Sequence, residues 1–280
     1  MIVDVSADRT TATRNLGLRV ASSALLAPLA VGVAYIGGWA FVVFWTIAAV
    51  AIWWEWVNLI QPSDHRGPFI TGACALTLSA ALVGLNHFQI SLLIIALGAI
   101  GVTVLANRYP AWIAGGVLYA GALLLSSMAL RFEAEAGFVA IGFLFATVWA
   151  ADIAGYFVGR AIGGPKLAPS ISPKKTWSGA IGAVLASVAA ALSIAYIIGS
   201  AEFVRAAILG ALVSVVAQAG DLFESRLKRL FDAKDSSQLI PGHGGVMDRL
   251  DGYLTAALAL ALVDAGRDLI SGTPARFIVW

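Results

Sequence analysis

The sequence predicts an all-α fold: a polytopic membrane bundle of about nine transmembrane helices with a cytoplasmic N-terminus. Three observations predict it. Apolar residues make up 60% of the 280-residue chain and charged residues 12%, about half the roughly 25% charge of an ordinary soluble domain. The mean hydropathy is +0.87. The apolar residues also gather into runs long enough to cross a ~30 Å hydrocarbon core as helix, which takes roughly 20 residues. This balance excludes an ordinary water-soluble enzyme, a disordered chain and a nucleic-acid binder with a basic face. The net charge is only +2, so the placement of charge carries the information. Cys74 is the single cysteine, which excludes an intramolecular disulfide and a Cys-based metal site. Its apolar surroundings make it a lipid-facing or core packing residue.

In chain order the predicted spans are 20–36, 39–57, 69–85, 90–106, 111–130, 137–157, 179–198, 203–220 and 252–263, each a predominantly apolar run bounded by charge, Gly or Pro. The last is short. Span one resembles a signal-peptide core in its small residues, but no clear cleavage site follows, so it is expected to be retained. Near the inner end of span two, Trp53, Trp54 and Trp56 read as an interfacial aromatic belt. Glu55 among them either snorkels to the interface or faces the bundle; both readings stay open. There is no fixed-period repeat and no Pro- or Ser-rich linker, so residues 1–280 form one membrane domain. Residues 1–150 carry few motifs and 151–253 carry the chemistry.

Charge orients the bundle. With nine spans and an inside N-terminus, 14 of the 18 basic residues fall inside, and only Arg131, Arg205, Arg267 and Arg276 fall outside. A missed or invented central span would scramble that split. The expected location is therefore the cell membrane, multi-pass, with the polar chemistry on the cytoplasmic face, as in a bacterial inner membrane.

Two segments hold that chemistry. The first runs from Asp152 through Arg160 and Lys166 to Ser172-Pro-Lys-Lys-Thr-Trp177. The second, 221–251, holds 11 charged residues and His243 in 31 positions. If span eight continues as helix, Asp221, Glu224, Ser225 and Lys228 share one face. Phe223, Leu227, Leu230 and Phe231 share another, which places this stretch in the interface. Alone, the pattern fits an amphipathic helix whose Arg226, Lys228 and Arg229 meet anionic headgroups. The next residues favour a site. Pro241-Gly-His-Gly-Gly245 is a turn-rich stretch whose backbone N–H groups can approach an anion. Asp248 and Asp251 then open span nine one helical turn apart. Carboxylates at membrane depth are costly and mark function, and Asp221 and Asp248 return to the same membrane face. Two carboxylates without cysteine suit a hard cation such as Mg²⁺, which binds one or two carboxylates plus substrate phosphates. Nearby Lys and Arg suit phosphoryl-type transfer. A P-loop, a Gly-x-Ser-x-Gly elbow and a His-Glu-x-x-His helix are absent.

The stretch 225–251, with Ser-x-apolar-Lys-Arg, a central Lys-Asp and a Pro-x-His-Gly-Gly-x-x-Asp-Arg-x-Asp ending, resembles the signature of the phosphatidate cytidylyltransferases, or CDP-diacylglycerol synthases. Lys166-Leu-Ala-Pro and Ser172-Pro-Lys-Lys-Thr-Trp177 resemble that family's second block. The similarity is strong over 151–253; the first half matches in hydropathy and helix count. Ser178 departs from the acidic or amide residue of many relatives. The resemblance implies transfer of CMP from CTP to phosphatidic acid, giving CDP-diacylglycerol and pyrophosphate for phospholipid biosynthesis, with Mg²⁺ required and a second, monovalent cation (K⁺) allowed. Asp221 and Asp248 match the metal positions and, with Lys228 and Arg249, the catalytic ones. Ser172, Lys174, Lys175, Thr176, Ser225, Arg229 and Asp251 are implied substrate contacts. His243, Gly244 and Gly245 are expected to shape the loop over the nucleotide. The implied partners are CTP, phosphatidic acid and membrane lipid, with no nucleic acid; a homodimer stays open. One alternative is a related CTP-dependent enzyme acting on an isoprenoid lipid phosphate or alcohol. A transporter is the remote one, because charge gathers at one face rather than at mid-membrane.

Overall fold

A computed structural model describes residues 22, 24–133, 136–240 and 244–271. His243 lies outside them, as do Arg9, Arg14, Arg19 and Arg276 of the charge count. The described residues form nine helices: α1 (Ala24–Ile36), α2 (Gly38–Ile60), α3 (Arg66–Gly84), α4 (Phe88–Leu105), α5 (Pro110–Arg131), α6 (Gly137–Ile162), α7 (Trp177–Ile197), α8 (Phe203–Leu230) and α9 (Met247–Ser271). Seven, α2 to α8, are long and apolar enough to cross a membrane. The shorter α1 is apolar. The 25-residue α9 carries Asp248, Arg249 and Asp251 in its opening turns. The helical bundle is as expected, while nine full spans are not established by length and apolarity. Between α6 and α7 the chain adds an antiparallel pair absent from the all-helical expectation, β1 (Lys166–Ala168) and β2 (Ser172–Thr176), with Lys166 opposite Thr176.

The bundle has two groups. Helices α2 to α5 pack together, and so do α6 to α9; α5 joins them through α6 and α9. The core lies around α2, α5 and α6, where Trp45, Ile52, Leu123, Leu124, Met128 and Phe143 are buried. Trp53 and Trp56 belong to it as well, contrary to the expected belt. Their indole N–H groups donate to Phe69 O at 3.0 Å and Trp112 O at 2.8 Å, which satisfies the one polar atom that keeps buried tryptophan costly. Of these three tryptophans, Trp54 alone is exposed. Cys74 is a free, exposed thiol on α3. Glu55 faces the bundle and is buried.

At the end away from the signature residues, Arg131 closes α1: its Nε donates to Ala34 O at 2.6 Å and its Nη2 to Tyr35 O at 3.3 Å. These are carbonyls that a helix C-terminus leaves without an internal partner. The ends of α2, α6 and α8 and the starts of α7 and α9 meet at the opposite end.

Candidate active site

Helix α8 continues to Leu230, so the predicted face exists. Asp221, Glu224 and Lys228 line a cavity of about 1050 Å³ enclosed by α6, the β1–β2 hairpin, α7, α8 and the start of α9. The other face is divided: Phe223 and Leu230 are exposed, while Leu227 and Phe231 turn inward. Leu227 is buried, Phe223 meets Tyr119, and Phe231 meets Tyr109 and Trp112 edge-on. Close helix approach shapes the cavity walls. A Cβ on Gly179 of α7 would fall 2.7 Å from Gly155 O on α6, and one on Gly220 of α8 would fall 2.8 Å from Asp251 O on α9.

The hairpin brings the second basic block to the cavity. Lys174, Lys175 and Thr176 on β2 all line it, with Lys166 from β1. Thr176 also caps α7, accepting from Gly179 N at 3.2 Å, the usual work of a Thr at an N-cap. Ser178, the departure from the family pattern, donates to Gly163 O and meets Thr176 Oγ1 at 3.0 Å. It therefore fastens the end of α6 to the start of α7.

Two lysine–carboxylate pairs organise the charges. Lys175 Nζ lies 2.5 Å from Asp221 Oδ2, and Ser225 Oγ donates to Asp221 Oδ1 at 3.3 Å. Lys228 Nζ bridges Glu224 Oε1 at 3.2 Å and Asp248 Oδ1 at 2.5 Å. Asp248 Oδ2 accepts from Ser236 Oγ at 2.9 Å, Ser236 N at 3.1 Å and Gly245 N at 2.8 Å. Asp248 precedes the apolar run 252–263. Burial alone would raise its carboxyl, but the Lys228 and Gly245 hydrogen bonds outweigh burial and hold it at about 2, so it is an anion at neutral pH.

The structure brings together eight of the expected site residues: Lys174, Lys175, Thr176, Asp221, Lys228, Asp248, Arg249 and Asp251. Ser225 stands behind Asp221. Ser172 pairs with Ala168 in the hairpin and does not line the cavity. Arg229 turns away from it, donating to Ala233 O at 3.1 Å. In the described part of the glycine loop, Gly244 N donates to Ile240 O at 3.2 Å, and Gly245 N holds one of the protein's own carboxylates, Asp248, at 2.8 Å. Asp152, Glu224 and Asp235 join the cavity wall without having been assigned roles. Glu224 had a signal, its place four residues before Lys228. Asp152 had one too, as a lone acid in an apolar helix.

Six acids (Asp152, Asp221, Glu224, Asp235, Asp248 and Asp251) and six bases (Arg160, Lys166, Lys174, Lys175, Lys228 and Arg249) line the cavity. Their formal charges are equal in number. Among the described residues no three His, Cys, Asp or Glu side chains form a closed metal cage. Oxygen donors without a cage fit an Mg²⁺ that completes its shell with water and phosphate; they do not fit a closed structural zinc site.

The chain is similar to known proteins. Residues 17–264 match the model of the cytidylyltransferase family. A phosphatidate cytidylyltransferase of Brucella suis is 40% identical over 255 residues, covering 90% of this chain and 94% of that protein. One from Haemophilus influenzae is 45% identical over 121 residues, 41% of this chain and 42% of that protein. One from Mycobacterium tuberculosis is 42% identical over 117 residues, 41% of this chain and 35% of that protein. With the match running through both helix groups and across every residue that lines the cavity, the chain belongs to the cytidylyltransferase family.

Proposed function

We propose that this protein transfers CMP from CTP to phosphatidic acid, releasing pyrophosphate and forming CDP-diacylglycerol. The observation that carries the reading is a single cavity that brings Lys174 and Lys175 against Asp221, Lys228, Asp248 and Arg249 at one end of a membrane bundle, in a chain of this family. The cavity suits one polar and one greasy substrate. Most of its charged residues lie on the hairpin and toward the helix ends, with Asp152 farther inside α6, while Ala151, Ala183 and Ala217 line its wall within the apolar helices α6, α7 and α8.

In the reaction, a phosphate oxygen of phosphatidic acid forms a bond to the α-phosphorus of CTP, and the bond from that phosphorus to the bridging oxygen of pyrophosphate breaks. The attacking phosphate has a second pKa of ~6, so it arrives largely ionised and needs no strong base. Positioning and charge neutralisation are what the site must supply. Lys174 and Lys175 hold substrate phosphate from the hairpin side. Lys228 and Arg249 hold it from the α8–α9 side and balance charge as pyrophosphate departs. Asp221 and Asp248 would hold Mg²⁺, the latter by giving up Lys228; a K⁺ could occupy a second position among the carboxylates. When bound, Mg²⁺ would supply positive charge against the substrate phosphates. The positive-inside pattern supports a cytoplasmic position for this end of the bundle, where CTP is available.

The test is acceptor choice by the purified full-length protein in detergent with CTP and Mg²⁺. Product is expected with phosphatidic acid, and none with an isoprenyl phosphate, an isoprenoid alcohol or diacylglycerol. Product with an isoprenoid acceptor alone would assign the chain to another branch of CTP-dependent membrane enzymes. Solute uptake by proteoliposomes without CTP turnover would end the enzyme reading.

A further inference from the structure

Helix α2 carries one carboxylate that its apolar composition does not explain. Glu55 is 0% exposed, and both its oxygens serve the segment that leads into α9. Oε1 accepts from Val246 N at 2.8 Å and Ser237 Oγ at 2.6 Å. Oε2 accepts from Met247 N at 2.7 Å and Ser236 Oγ at 3.2 Å. A buried carboxylate is costly unless fully hydrogen-bonded, and a helix N-terminus offers it free N–H groups and a favourable dipole. Glu55 thus caps α9 from a helix 192 positions away in the chain. The packing leaves no slack: a Cβ on Gly245 would press on Ser236 Oγ and lie 2.6 Å from Glu55 Oε1.

Ser236 connects this cap to the active-site carboxylate. Its hydroxyl lies between Glu55 Oε2 and Asp248 Oδ2, and its backbone N–H also donates to Asp248. A serine hydroxyl has one proton to donate, so the two carboxylates share it and the position of each depends on the other. Glu55 meets Ser236, Ser237, Val246 and Met247 and lines none of the cavity.

We propose that Glu55 is a positioning residue for nucleotidyl transfer: from α2 it holds Ser236, Ser237 and the start of α9 so that Asp248 is presented to the substrates. The kinetic part rests on the function proposed above; the structural part does not.

The test compares full-length wild type, Glu55→Gln, Ser236→Ala and the double variant in detergent. Gln keeps the size of Glu55 but replaces one acceptor oxygen with a donor. Glu55→Gln is expected to lower kcat about ten- to a hundred-fold, as loss of an outer partner of a reacting group typically does, with KM for CTP within about two-fold. In enzyme free of substrate and Mg²⁺, amide exchange across 244–247 is expected to rise about ten-fold while α5 and α6 stay as protected as before. The double variant should lose less than the product of the two single losses, because both act through one hydroxyl. Unchanged kcat in Glu55→Gln, or exchange there no faster than in wild type, overturns the proposal. If Glu55→Gln does not fold, Ser236→Ala decides: lowered kcat at unchanged melting temperature supports positioning, and unchanged kcat overturns it. A wild type that moves no CMP to lipid would sink the proposed function, while the exchange measurement still judges the Glu55 contact.

Discussion

Lys228 Nζ lies 2.5 Å from Asp248 Oδ1 and ties the end of α8 to the start of α9. The same ammonium meets Glu224 at 3.2 Å, and the three side chains are 12%, 7% and 2% exposed. A cation held between two carboxylates at this depth has both a structural and a chemical role. Removing it leaves two buried carboxyl groups without their shared cation. Lys228→Ala is therefore expected to destabilise the protein by about 3–5 kcal/mol, the usual cost of breaking a buried pair from one side, and to abolish transfer. Lys228→Arg should keep most of the stability and lose part of the rate, because a guanidinium fork does not reproduce a point charge. Thermal melting in detergent and initial rates check both.

The second pair should behave differently. Lys175 and Asp221 are 25% and 40% exposed, a setting where ion pairs are worth about 0–1 kcal/mol. Asp221→Asn is expected to shift the melting temperature little yet reduce kcat by about a hundred-fold or more, in line with loss of a metal-holding or charge-stabilising group. Equal losses of stability and rate would place Asp221 in the scaffold instead.

These pairs also mark what the sequence made legible. Hydropathy identified the bundle, because a helix of roughly 20 apolar residues is the simplest way to satisfy its backbone in lipid. The i, i+3, i+7 spacing of Asp221, Glu224 and Lys228 placed them on one face, since α8 does run on past the apolar stretch. Tertiary contacts were not legible. Trp53 and Trp56 look like belt residues until Phe69 O and Trp112 O are seen to take their N–H groups. Glu55 looked ambiguous because its partners lie 181 to 192 positions away. The β1–β2 hairpin is too short, at three and five residues, to leave a period in the sequence. Arg229 was assigned by motif position, but its side chain lies on the side of α8 that turns to Ala233.

Helix contact at Gly220 gives a packing prediction. A Cβ there would meet Thr255 Oγ1 and lie 2.8 Å from Asp251 O, so α8 and α9 could not keep their separation. Gly220→Val is expected to cost about 1–3 kcal/mol, as overpacking does, and to remove activity by displacing Asp221 and Asp251 together. Gly266→Ala, where nothing lies within 4 Å of the added Cβ, is the matched control and should melt like wild type.

Metal removal separates chemistry from folding. Among the described residues the carboxylates form no closed cage, and lysines already occupy Asp221 and Asp248. EDTA is therefore expected to stop turnover while shifting the melting temperature by no more than about 2 °C, on the order of 1 kcal/mol for a protein of this size. Mg²⁺ added back should restore the rate. A large loss of melting temperature in EDTA would mean that the ion holds the bundle together.

The fate of the two ends of the triphosphate tests the central claim most directly. Full-length protein is incubated with phosphatidic acid, Mg²⁺ and CTP labelled at either the α- or the γ-phosphorus, and the mixture is extracted into organic solvent. CMP transfer predicts α-label in the lipid phase and γ-label in aqueous pyrophosphate, with both signals lost in Asp248→Asn. Label from the γ-position in lipid, or no label in lipid from either position, would contradict it.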